Sequence, residues 1–490
     1  MAALLLTSMV WSGHAQEKNE MDLSGEWAFQ TDVMDFRRGS LDVRYCHRLQ
    51  ESIVLPGITD DYKIGYKSPY RHLDRLTRVY EYMGPAWYQR EIEIPAAWKG
   101  KRIFLYFERT HWLSSVYVGK EEVSKIDYIS IPHNHELTQW LHPGKKELIT
   151  FCIDNRYQYD THKWDHAHSE FTQINWNGVL GEIKLVAVDP VYVDDMQVYP
   201  DIKNKSIKVK MTVRNCTEHT ASGKISFHVS GKDYRLQKEV PVTVTDSITY
   251  IEEEMFLSKD IHLWNEFHPN LYTLDCKLTS SVEGQSYAHE KSTTFGMREV
   301  EAGEDHIILN GEPIHLRGTV ENAVFPKTGY APVDDASWER VLRILKEYGM
   351  NHMRFHSWCP PAAAFRMADK LGVYLEVEMP MWGKDAQPDE KRWNFFRREL
   401  RGILKEYGNH PSFILYCNGN EITGDFSFIE EPTAPPHPPS WITAVYTAVP
   451  QPAHVSNQTS STLPIRLPKD TWLSTKDVLI QTGTKTRNWE

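Results

Sequence analysis

The run NHMRFHSWCPPAAAFRMADKLGVYLEVEMP, residues 351–380, decides the fold. Its first five residues, Asn351 to Phe355, read as a strand. Two prolines follow, then a helix from Ala362 to Leu371 that Gly372 ends, then a second strand from Val373 to Val377. The unit recurs on both sides. Upstream, Ile314 to Leu316 reads as a strand. Beyond it comes a helix opened by Asp334, Asp335 and Ser337, with Trp338, Val341, Leu342, Leu345 and Tyr348 at helical spacing and Gly349 at its end. Downstream, a helix from Arg392 to Tyr407 keeps Trp393, Phe396, Leu400, Leu404 and Tyr407 on one face, and strand Phe413 to Cys417 follows Gly408. Strands that alternate with helices over short connections must pair in parallel, as a barrel or an open doubly wound sheet. Four strands in residues 298–428 make about half of a (β/α)8 barrel, which needs roughly 250 residues.

Working outward, the pattern changes near residue 305. Ile307 to Ile314 is a hairpin around the Asn310-Gly311 turn. Before it, short alternating strands dominate. Tyr88 to Ile94, Ile103 to Phe107, Ser115 to Val118 and Leu148 to Ile153 lie in a segment, 22–190, that reads as a jelly-roll sandwich. Ser206 to Val213 and Lys224 to Val229 lie in 191–297, which reads as an immunoglobulin-like sandwich. The expected fold class is therefore multidomain β plus α/β: jelly roll, immunoglobulin-like sandwich, then the first half of a TIM barrel.

The two ends read differently. Ala2 to Trp11 is apolar and Gly13-His14-Ala15 offers a cleavage site, so residues 1–15 are expected to be a signal peptide and the chain an exported one, periplasmic or extracellular. Residues 429–490 hold nine of the 27 prolines and one glycine, Gly483, and show no strand or helix period. They are expected to be an irregular Pro-rich tail, produced by a truncation or a shift of reading frame near residue 430, with a natural Pro-rich tail as the alternative.

Composition narrows the function. The charge balance, 55 Lys+Arg against 66 Asp+Glu, gives a net −11 and leaves no basic stripe for nucleic acid. No stretch reaches the roughly 18 apolar residues of a membrane span. Six cysteines without a C-x-x-C pair exclude a disulfide scaffold and a zinc ribbon. His162, Asp165, His166, His168 and Glu170 fall within nine residues, but a loop reaching the barrel mouth or a polar surface explains them better than a metal site, and neither metal nor cofactor is expected.

Chemistry in parallel α/β barrels sits at the carboxyl ends of the strands. Those ends carry Arg317, then Arg354 and His356, then Glu376 and Glu378, then Asn420 and Glu421. Arginine, histidine and carboxylates at one mouth suit general acid–base work on a polar neutral substrate. A structural reading also stands: a carboxylate past a strand often caps the next helix, and Arg354 can pair with Glu378 inside the sheet.

The stretch His410 to Glu421, HPSFILYCNGNE, resembles the acid/base signature of glycoside hydrolase family 2. Asn351 to Arg354 through Ala368 to Leu375 is similar to its other barrel signature. Leu23 to Trp27, Leu55 to Gly57, Trp87 to Arg90 and Asn175 to Gly178 are similar to its N-terminal sugar-binding jelly roll. The resemblance covers about residues 22–428. It implies a retaining exo-β-glycosidase acting on an oligosaccharide or polysaccharide-derived β-glycoside, β-galactosidase-like first, β-glucuronidase or β-mannosidase next. It implies that Glu421 is the general acid/base, that Asn420 binds the sugar 2-hydroxyl and that Arg354 lies beside the nucleophile. Arg354, Asn420, His356 and Glu378 are the expected substrate-binding residues. The family's nucleophile is a Glu on a later strand; Glu430, Glu431 and Glu490 do not match it, so a carbohydrate-binding remnant without turnover is the alternative. Arg317 to Asn322, RGTVEN, lacks the histidine many members carry there, and Arg354 and His356 are two apart rather than three. Oligomeric state is not legible.

Overall fold

A computed structural model describes residues 19–33, 49–119, 121–171, 174–303, 306–383, 389–422, 443–446 and 472–474. The expected signal peptide lies outside the described residues. Among the described residues β strands predominate, and the α-helices lie after residue 330.

The first region is built from two antiparallel sheets. One runs in the order Glu20–Asp22, Gly178–Val188, Arg102–Thr110, His133–Glu136, with Gly57–Ile58 also paired to Gly178–Val188. The other has six strands, from Glu121–Ile126 through Leu113–Val118, Lys146–Asp154, Pro85–Glu93 and Gly25–Thr31 to Glu51–Leu55. Alternation along each strand sends one set of side chains inward. Trp27, Phe29, Tyr88 and Phe151 from the six-stranded sheet meet Leu105, Phe107 and Leu185 from the other in one core. The Tyr88 and Phe151 rings stack at 4.8 Å.

The second region sets a three-stranded sheet (Val191–Asp201, Ser206–Asn215, Ile248–Phe256) against a four-stranded one (Tyr234–Val244, Ala221–Gly231, Tyr272–Val282, Gln285–Phe295) around Val209, Met211, Phe227, Leu274 and Phe295. The buried Asn215 amide donates to the carbonyls of His219 (2.9 Å) and Val244 (3.2 Å).

A hairpin, Ile307–Leu309 with Glu312–Ile314, leads into the α/β region. Asn310 and Gly311 both take positive φ, 56° and 85°, as a two-residue turn between twisted strands requires. Strands β1 (Gly318–Glu321), β2 (His352–Phe355), β3 (Tyr374–Glu378) and β4 (Phe413–Cys417) then pair in parallel and in sequence order. Helices α1 (Asp335–Glu347), α2 (Ala362–Leu371) and α3 (Glu390–Tyr407) connect them. Asp334 caps α1 through the Ser337 amide and Asp389 caps α3 through the Lys391 and Arg392 amides.

Two expectations need correction here. The first strand is Gly318–Glu321, not Ile314 to Leu316, because Ile314 is spent in the hairpin. Arg317 therefore precedes β1 and lies at the opposite end of the sheet from the strand termini. Nor is 429–490 irregular throughout. Thr443–Tyr446 (β5) pairs in parallel with β4, and Trp472–Ser474 (β6) pairs in parallel with β5, so the sheet has six described strands rather than four. Backbone pairing needs only an available edge, which β4 supplies, and short strands of three or four residues leave too little periodicity to read.

The α/β region is anchored to the first sandwich. Trp112 and Ile129 belong to the same core as Trp358, Phe395 and Ile403. Glu399 of α3, fully buried, accepts from the backbone amides of Ile129 (2.8 Å) and Ser130 (3.2 Å). Arg398 forks onto Asp127 at 2.7 and 3.1 Å. Arg109 of the sandwich donates to the carbonyls of Ser130 and Cys359.

Candidate active site

Arg354 is the centre of the strand-end cluster. Leaving β2, its Nε donates to Glu378 Oε1 at 2.6 Å and its Nη2 to Asn420 Oδ1 at 3.1 Å. Glu376, its register partner on β3, is 3.5 Å away. Glu378 ends β3 with no exposed surface, and its Oε2 accepts from the Ser357 amide at 2.6 Å. The structural pairing of Arg354 with Glu378 that the sequence allowed is thus present. Burial works against the Arg354 charge, but Glu378 and Glu376 outweigh it and hold the guanidinium above its usual value. Burial likewise pushes the Glu378 carboxyl up while the Arg354 and Ser357 donors oppose it, and it drives Glu376 up to about 7 despite Arg354.

Glu421 differs from these carboxylates. It is exposed, four residues past the end of β4, in the left-handed region at φ 49°. Its Oε2 accepts from the Trp382 indole Nε1 at 2.9 Å. A bridge between Trp382 and Asn420 ties the loop after β3 to the loop after β4, with Asn420 N donating to Met381 O (2.9 Å) and Gly383 N to Asn420 O (3.1 Å). Gly383 and Gly419, both at positive φ, permit that approach; a Cβ on Gly419 would collide with the Met381 carbonyl oxygen.

His356 joins the cluster from another side. Its ring lies 4.7 Å from Trp382, edge to face, and its Nδ1 is 2.9 Å from His166 Nδ1. His166 Nδ1 also lies 2.9 Å from the His356 carbonyl oxygen, so one Nδ1–H on His166 serves both acceptors. Burial, His166 and Arg354 push His356 down to about 3, and burial lowers His166, so the pair is neutral near pH 7. Arg354, Glu378, Asn420, Glu421 and His356 are therefore brought together; Arg317 is not.

Sequence reasoning missed two contributors, Trp382 and Glu321, and read a third, His166, only as part of a loop reaching the barrel mouth. Trp382 holds Glu421, yet no spacing distinguishes it from a core aromatic. Glu321, the last residue of β1, is pushed up to about 7 by burial, against the backbone amides of Ala323, Val324 and Asn322; its carbonyl takes the His356 amide (3.0 Å) and the Trp358 indole (3.0 Å). His166 comes from the histidine-rich run of the first sandwich. That run is a strap over the strand ends: His166 N also meets Ser357 Oγ at 3.1 Å, and His168 is buried against Asp165. Among the described residues, no group of three or more His, Cys, Asp or Glu side chains could hold a metal ion.

A family profile, "Glycosyl hydrolases family 2", matches residues 191–298. The chain is similar to this family. It is 23% identical to a β-galactosidase of Thermoanaerobacter pseudethanolicus over 355 residues, covering 72% of this chain and 47% of that enzyme. It is 21% identical to the β-glucuronidase of Sus scrofa over 467 residues, covering 88% and 67%. The likeness of fold extends through most of the chain: a Bacteroides uniformis β-glucuronidase superposes with a TM-score of 0.68 at 17% identity, over 87% of this chain and 52% of that one. A Ruminococcus gnavus β-glucuronidase solved with D-glucaro-d-lactam gives 0.69 at 18% identity, over 87% and 72%. The chain spans about half the length of several of the relatives it matches.

Proposed function

We propose that this chain is a family 2 glycosidase that hydrolyses O-glycosidic bonds, a retaining exo-β-glycosidase of β-galactosidase type, with β-glucuronidase or β-mannosidase specificity as the alternatives. One observation carries the reading. Glu421 is an exposed carboxylate just past β4, beside a cluster in which Arg354 donates to both Glu378 and Asn420. A carboxyl open to solvent and held by one donor can approach a leaving oxygen, whereas Glu378 is locked between Arg354 and Ser357. Asn420 meets the sugar 2-hydroxyl, and Arg354 orients Asn420 by holding its Oδ1. A retaining reaction needs a second carboxyl about 5–5.5 Å away to attack the anomeric carbon. The rival reading is sugar recognition without turnover.

Glu421→Gln tests the assignment. Hydrolysis of substrates with poor leaving groups should fall ~10²–10⁴-fold, the usual worth of a positioned acid, while aryl glycosides with activated leaving groups lose less. Equal loss on both classes removes Glu421 from the role. Glycan binding without hydrolysis by the unaltered chain supports the rival reading. We also propose that residues 1–15 direct export. Secreted protein should begin at Gln16 by intact mass, and retention of Met1 to Ala15 rules the leader out.

A further inference from the structure

The joint between the first sandwich and the α/β region holds a cavity of about 40 Å³, and none of the candidate site residues described above lines it. One wall belongs to the sandwich and carries Thr110, His111 and Ser130; the other is the loop after β2, with Trp358 and Cys359. Three side-chain atoms of the sandwich wall have no hydrogen-bond partner among the described residues: Thr110 Oγ1, His111 Nε2 and Ser130 Oγ. Their residues are only 3%, 1% and 2% exposed.

The packing shows why each is stranded. Thr110 ends the inner strand Arg102–Thr110, where pairing with Val179 fixes its position. The backbone of Ser130 is fully engaged: its amide donates to Glu399 at 3.2 Å, and its carbonyl accepts from Arg109 and from the Tyr407 hydroxyl at 3.4 Å. Only its hydroxyl is left over. The His111 ring stands edge-on to Trp176 at 4.9 Å. Burial, then His168 and the cations Arg78 and Arg109, hold that ring well below the usual histidine range, so it is a neutral imidazole with one donor and one acceptor. The facing wall has spent its own groups. The Trp358 indole donates to the Glu321 carbonyl at 3.0 Å, the Cys359 thiol to the Pro360 carbonyl at 3.6 Å, and the Cys359 carbonyl accepts from Arg109.

A buried polar atom left unpaired forfeits the hydrogen bond it had in the unfolded chain, and three around one small space are rare in a folded protein. Water pairs such groups where it finds about 10–15 Å³ per molecule and two to four polar partners. The space here therefore admits two or three molecules, in step with the three orphaned atoms. We propose that this cavity is a structural water site, in which two or three ordered waters bind Thr110 Oγ1, His111 Nε2 and Ser130 Oγ and fill the joint between the first sandwich and the loop after β2. Water fits better than an anion, because Arg109 already directs N–H groups to the carbonyls of Ser130 and Cys359 while the two hydroxyls and the neutral ring can each donate or accept. The consequence reaches the strand ends: Trp358 and Cys359 directly follow Ser357, whose amide holds Glu378. The waters thus support the loop on which that carboxylate rests.

Crystals of the full chain test the site directly. Electron density should show two or three waters within about 3.2 Å of the three atoms. Absence of density, uptake of xenon under pressure as in dry apolar cavities, or density that refines as an ion overturns the proposal. Thr110→Val gives a second reading through its sign. The two side chains have nearly the same shape, so in a hydrated cavity the variant loses a water partner and should melt about 2 °C lower. In a dry cavity it removes an orphaned hydroxyl, and an unchanged or higher melting temperature overturns the water site. Should the variant fail to fold, the density of the unaltered chain decides alone.

Discussion

Glu378 and Glu421 lie on neighbouring strand ends and differ in everything that matters chemically. Glu378 has no exposure and three N–H donors, two from Arg354 and one from Ser357; Glu421 is open to solvent with one indole donor. Burying a charge is tolerable only with such partners. Glu378→Gln should therefore destabilise the fold by about 3–5 kcal/mol, toward the lower figure because Glu376 and Asn420 stay with Arg354. Urea unfolding measures this. A loss below about 1 kcal/mol would show the pair is not the structural centre of the site. The same contrast explains why His356, expected to bind substrate, instead spends its Nδ1 on His166 and its ring on Trp382. It positions the loop that carries the indole.

Helix α3 does two jobs. Trp393, Phe395, Phe396, Leu400 and Ile403 pack it into the α/β core, and Glu399 reaches out of that core to the first sandwich. Burial pushes the Glu399 carboxyl up to about 7, against the two amides that favour its charge. A carboxyl raised on folding stabilises fully below its unfolded value and loses that contribution as pH rises through its folded value. The window runs from about 4.5 to about 7. Glu399→Gln stays neutral throughout, so its stability relative to the parent should rise as pH goes from 5 to 8 in chemical denaturation. A relative loss that grows over that range would show that the two amide bonds outweigh burial.

Across the whole molecule, the α/β sheet is held by the sandwiches that precede it. Buried Arg298, at the end of the second sandwich, donates to the carbonyls of Pro411 (2.5 Å), His410 (3.3 Å) and Phe413 (2.9 Å), fixing the entry to β4. Arg109 and Glu399 tie the first sandwich to α3 and to the loop after β2. Shared cores of this kind make regions unfold together. Scanning calorimetry of Arg109→Ala should therefore lower the melting temperature of the α/β region and separate it from that of the first sandwich. A single transition at the parent temperature would mean the shared apolar core alone couples them.

At this scale the division between sequence and structure is clear. Periodicity identified the β strands around Tyr88, Phe107 and Val209 and helices α1 to α3, because alternation and a 3.6-residue repeat are local properties of a chain that must bury one face. Strand–helix alternation likewise determined that the last sheet is parallel, and the strand ends pointed to Arg354, Glu378, Asn420 and Glu421. Three things were decided only in three dimensions. Ile314 could equally have been strand or hairpin, and the turn at Asn310-Gly311 took it. β5 and β6 are strands by virtue of an edge to pair with, not by their own pattern. The His162–His166 strap and Trp382 lie more than two hundred residues apart in sequence, and only the packing of the sandwich on the sheet brings both to Glu421, since contacts at that separation leave no period in the chain to read.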